Sequence, residues 1–107
     1  MTEKYYNDKG EVAVIYSPDF GAGWYTWNTE YGDELLFDKT LVEMILADKS
    51  SEELRAYAEE KWGENIFCGG LGSCEVEFLP VGTAFIIDEY DGNESIELRD
   101  EINWRVA

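Results

Sequence analysis

The residues in this chain best suited to chemistry are carboxylates. Asp88, Glu89, Asp91 and Glu94 fall within seven residues around a glycine turn, in DEYDGNE. Oxygen ligands at that density are what a hard divalent cation such as calcium takes. The spacing is not that of an EF-hand loop, and acidic hairpin turns are common without metal, so neither metal nor cofactor is expected. Paired carboxylates also perform glycoside hydrolysis, but a chain of 107 residues offers no obvious cleft for a sugar. Cys68 is a nucleophile by type. With no histidine anywhere to activate it, it reads as structural. The same absence excludes histidine-based triads, HExxH zinc sites and histidine pH switching. The expectation is a protein that is not an enzyme.

A second candidate is the run Phe20 to Asn28, FGAGWYTWN. Gly21 and Gly23 open backbone angles closed to other residues, and Trp24, Tyr25 and Trp27 follow at once. Read as function, it is a binding loop, with Gly21, Gly23, Trp24, Trp27 and Asn28 offering N–H groups and aromatic planes to a ligand or peptide. Read as structure, it is a cap whose tryptophans close one end of the core, since tryptophan burial is a large stabilising contribution in a small domain. The spacing is neither GxGxxG nor a Walker loop, so nucleotide binding gains no support.

The charge as a whole is the third. Acidic residues outnumber basic ones 24 to 8, a formal charge of −16. Such an excess keeps a protein soluble and disfavours direct contact with nucleic acid or anionic membranes. It favours basic protein surfaces. Carboxylates spaced along strands and helices imitate the phosphates of a duplex, about one charge per 1.7 Å of axis. A protein built this way occupies a basic groove and excludes nucleic acid, with fast, salt-sensitive association.

The elements that would position these residues follow from patterning. One domain is expected from 107 residues, and 45% apolar with 15% aromatic content is rich enough to fold. After a polar leader with a turn at Asn7 to Gly10, Glu11 to Ser17 reads as a near-continuously apolar first strand, central in its sheet, stopped by Pro18. Glu30 to Glu34 reads as an acidic turn. Asp38 is an N-cap for a helix from about Lys39 to Ala47, and Ser50 with Glu53 makes a capping box for a helix over Ser51 to Trp62 ended by Gly63.

Cys74 to Glu101 then reads as a three-strand meander. Val76 and Phe78 alternate with Glu75 and Glu77, and Phe85 to Ile87 form a core strand. Asp91-Gly92 is a hairpin turn, beyond which Ile96 and Leu98 oppose Glu97 and Arg99. Pairing as a meander would place Glu75, Glu77, Glu97 and Glu89 on one acidic face, the partner-binding surface together with Asp88, Asp91 and Glu94. Ile102, Trp104 and Val106 offer a last short strand or a packed tail. The fold class is α+β, an antiparallel sheet of about four to five strands with two helices on one face. Cys68 and Cys74, five residues apart in CGGLGSC, read as reduced thiols, with a disulfide as the alternative. No secretory signal or run of transmembrane length is visible, so the cytoplasm is expected.

GAGWYTWN, LLFD, the FCGG turn and the closing LPVGTAFIIDEYDGNESIEL together resemble a family of small acidic proteins encoded by bacteriophages and prophages, over most of the chain from Val12 onward. That family has no settled activity, so the resemblance supplies context and no catalytic residues. It implies the host bacterial cytoplasm and a host-takeover or anti-defence role, with a host nuclease or CRISPR effector as partner.

Overall fold

A computed structural model describes residues 3–98, and the readings made for Arg99, Glu101, Ile102, Trp104 and Val106 lie outside them. The chain is α+β. Val12–Tyr16 (β1) pairs antiparallel with Glu75–Leu79 (β2), Val12 opposite Leu79 and Tyr16 opposite Glu75. Phe85–Tyr90 (β3) and Asn93–Leu98 (β4) form a hairpin, Phe85 opposite Leu98 and Tyr90 opposite Asn93. Between β1 and β2 lie Glu34–Phe37 (α1), Lys39–Leu46 (α2) and Ser51–Trp62 (α3). Short 3-10 turns occupy Tyr25–Trp27, Thr29–Tyr31 and Leu71–Ser73.

Where a single sheet of four to five strands is expected, the described strands form two sheets of two. The meander does not form, because β2 pairs with β1 and turns away from β3 at Pro80. Proline lacks the donor that a continued ladder needs. The sheets meet where Glu94 N–H donates to the Ser17 carbonyl at 2.7 Å.

β1 explains its own sequence. Ala13 and Ile15 face a core shared with Leu41, Val42, Leu54 and Ala58, while Val14 faces a second core with Leu36 and Leu79. The inner side of the hairpin, Phe85, Ile87, Ile96 and Leu98, packs on this second core. Both faces of β1 are covered, which is why VAVIY is almost all apolar even in a two-stranded sheet. After the acidic turn expected from Glu30 to Glu34, where the chain makes a 3-10 turn and then a turn at Asp33, α1 sends Leu35 into the first core and Leu36 into the second, joining the two.

The helix ends follow their caps. Asp38 accepts from Leu41 N–H at 3.0 Å, and Ser50 Oγ accepts from Glu53 N–H at 3.2 Å. Such caps contribute about 1 kcal/mol each. Gly63, at φ 105°, ends α3 as expected.

Candidate functional site

The acidic hairpin and the Gly-Trp loop, far apart in sequence, are one structure. Asp91 and Gly92 stand at φ 51° and 87°, the left-handed pair that a tight two-residue hairpin turn needs. Gly92 is required twice, because a Cβ there would collide with the backbone of Ala22. Gly21 N–H donates to the Asp91 carbonyl, seating the loop on the turn.

Glu94 joins them from inside. Its side chain is 1% exposed. Oε1 accepts from Ser17 N–H at 2.8 Å; Oε2 accepts from Trp24 N–H at 2.9 Å, Thr26 N–H at 2.8 Å and the Thr26 hydroxyl at 2.6 Å. A carboxylate removed from water is tolerated only with its lone pairs met by donors, and here backbone N–H groups supply most of them. Gly23 leaves the room, since a Cβ there would lie 2.7 Å from Thr26 Oγ1 and 3.1 Å from Glu94 Oε2.

Glu94 is therefore not part of a partner-facing surface; it is the internal tie of the loop. Trp24 is also fully buried, donates its indole N–H to the Leu35 carbonyl at 2.9 Å, and packs edge-on against Trp62 at 5.9 Å. Asn28, 1% exposed, donates its amide to the Trp24 and Phe67 carbonyls and accepts from Phe67 N–H. The ligand-binding reading is corrected for Trp24 and Asn28, whose polar groups are spent on the fold. Trp27 alone of the two loop tryptophans stays partly exposed, at 39%.

The expected acidic face is corrected as well. Glu75 and Glu77 share a face of β2 with Leu79 and are exposed. They flank Tyr16, whose phenol is raised above its ordinary value by burial and then by these two charges. Glu97 lies on the outer face of β4 opposite Ile86, with Asp88 and Ser95. Glu89 is on the inner face, where Oε2 accepts from Gly92 N–H at 2.7 Å and from the Trp27 indole at 3.3 Å. With Glu89 and Glu97 on opposite faces of the hairpin, these four glutamates do not form one face. Among the described residues no three acidic, cysteine or histidine side chains converge as a metal site would require.

A second buried carboxylate lies outside the predicted site. Asp38, 2% exposed, accepts from the Tyr57 hydroxyl at 2.6 Å and is ion-paired with Lys61, tying α2 to α3. Burial, then the Asp38 hydrogen bond and charge, raises the Tyr57 phenol. For Lys61, burial pulls downward, but Asp38 raises the ammonium on balance.

Both cysteines are free thiols. Burial, with Glu94 nearby, pushes the Cys74 thiol well above its ordinary value, and burial raises Cys68 as well, aided by Glu59. Neither is poised as a thiolate. An open cleft of about 390 Å³ lies between α1 and β3, lined by Tyr25, Asp33, Phe37, Phe85 and Ile86 among others, with the Tyr25 hydroxyl donating to Asp33 at 3.3 Å. No described helix is long and apolar enough to cross a membrane. No protein-family model, curated protein or solved structure matches this chain.

Proposed function

We propose that this chain is a non-enzymatic acidic binding protein that docks on a basic surface of a nucleic-acid-handling protein and keeps nucleic acid out. The observation that carries this is where the charges lie. Four described cations are paired locally, Lys39 with Glu3, Lys49 with Glu53, Arg55 with Glu59 and Lys61 with Asp38. Among the described residues, Glu75, Glu77, Asp88, Asp91 and Glu97 have no such partner. Alternate residues on a strand stand about 7 Å apart, so Glu75 and Glu77 form a short row of charge. With a net charge of −16 behind it, that row attracts a basic groove by steering.

The resemblance to phage-encoded acidic proteins favours a bacterial host's cytoplasm as the setting and a nuclease or CRISPR effector as the partner, an anti-defence inhibitor acting by nucleic-acid mimicry. A second reading, a module for a small ligand or peptide, is favoured by the cleft beside Tyr25 and Asp33.

The test is capture from bacterial lysate on the immobilised protein, elution by rising salt, and competition with a short DNA duplex. One nucleic-acid-binding protein, released at moderate salt and displaced by the duplex, is expected. The combined variant Glu75→Lys, Glu77→Lys, Glu97→Lys, checked for folding by circular dichroism, should lose it. Capture of the same protein by that variant at the same salt sinks the proposal.

A further inference from the structure

Next to the turn, two aromatic rings stand half in water with a carboxylate between them and the hairpin. Trp27 and Phe67 are 39% and 41% exposed, with ring centroids 5.1 Å apart. Exposed rings in a domain with a full core ask for a reason, and here the fold holds them in place. Asn28 grips the Phe67 backbone through both its amide and its carbonyl oxygen. Gly69 makes room for the Phe67 ring, since a Cβ there would come within 2.6 Å of it. The Trp27 indole N–H is fixed by Glu89 Oε2, which Gly92 N–H also holds. Glu89 Oε1 has no hydrogen-bond partner among the described residues, and the residue is exposed.

We infer that Trp27, Phe67 and Glu89 form a docking platform for an arginine side chain of the basic partner, the guanidinium stacking on the rings and donating to Glu89. This deepens the acidic-binding reading and rests on it. The occupant follows from complementarity. A planar cation stacks on aromatic faces and donates to a carboxylate at once, whereas lysine's compact ammonium does only part of this. The net charge of −16 selects a cationic visitor over a merely apolar one. Aromatic anchors fixed before contact lose little entropy on binding.

The experiment is an NMR titration of the full chain with acetyl-Gly-Arg-Gly-amide, its lysine counterpart and its citrulline counterpart, following the Trp27 indole N–H. Saturable movement with the arginine peptide is expected, roughly three- to tenfold weaker with lysine and lost with citrulline. Glu89→Gln keeps an acceptor for Trp27 and Gly92 while removing the charge, and should weaken the arginine peptide by a similar factor; Phe67→Leu should do so too. An unmoved Trp27 signal overturns the platform, as do equal responses to arginine and lysine. The peptide needs no partner protein, so the two readings fail separately. Absence of lysate capture with this titration intact counts against the wider function alone. Capture unaffected by Glu89→Gln and Phe67→Leu counts against the platform alone.

Discussion

Two of the described carboxylates, Asp38 and Glu94, are buried in a protein that has acid to spare, and they are held by different means. Asp38 is met by an ammonium, a phenol and one backbone N–H. Glu94 is met by three backbone N–H groups and one hydroxyl, with no cation among the described residues in its shell. Lys61 keeps 39% of its side chain exposed and can turn to water if Asp38 is lost. The Ser17 and Trp24 N–H groups beside Glu94, on fully buried residues, have no such exit. The expensive partner to orphan is therefore the one that cannot move.

The sharpest way to break this contrast is Glu94→Leu. Ser17 and Trp24 would each be left with a buried N–H and Thr26 with a part-buried one, at about 1–3 kcal/mol apiece, so a loss of at least about 3 kcal/mol is expected by urea unfolding. For a domain of this size that is a large part of total stability. A loss below about 1 kcal/mol would show that Glu94 is not the tie described here. Asp38→Ala should be milder, about 2 kcal/mol from a lost cap and a lost phenol hydrogen bond. If it equals Glu94→Leu under the same denaturant, the mobile cation gives no relief.

Alkaline pH sharpens the same comparison. Tyr57 and Lys61 titrate higher in the fold than their ordinary 10.0 and 10.5. Between the unfolded and folded values the unfolded chain has released protons that the native chain still holds, so stability falls as pH rises. Stability at the Asp38 cluster should thus be intact below about pH 10 and decline above it. Thermal melts across that range, with absorbance for tyrosinate, check this, and Tyr57→Phe should flatten the decline. Smallest of all, Glu75→Gln with Glu77→Gln should move stability by less than about 0.5 kcal/mol, since both are exposed. A larger loss in a melt would mean that these charges belong to the fold and not to a surface.

The local parts of this architecture were legible in the sequence. Ser50 and Glu53 mark the start of α3, Asp38 that of α2, and Asp91-Gly92 the hairpin, because each works through neighbours a few residues away. Strand partnership was not legible, since β2 could extend toward β3 or return to β1, and only long-range packing on Leu36 and Leu79 decides. Of the candidate site, Glu75 and Glu77 were read as exposed and are. The burial of Glu94 had a signal that charge alone obscured: it shares strand parity with Ile96 and Leu98, so it must face inward with them. Nothing local marks Trp24 as core and Trp27 as surface, because the carboxylate that accepts from the Trp24 N–H comes from a strand 70 residues on.

That separation has a consequence for how the protein is made. Ser17 N–H waits for a carboxylate 77 residues further along. At a synthesis rate of about 5–20 residues per second, the wait is roughly 4–15 s. Throughout it the Trp24 N–H lacks its carboxylate, and β1 lacks its strand partner until β2 has been made. Folding should be slow for so short a chain, as closure between distant segments must precede its reward. A hairpin made late in translation locks a loop made early, so the nascent chain is sticky until nearly all of the described fold has left the ribosome.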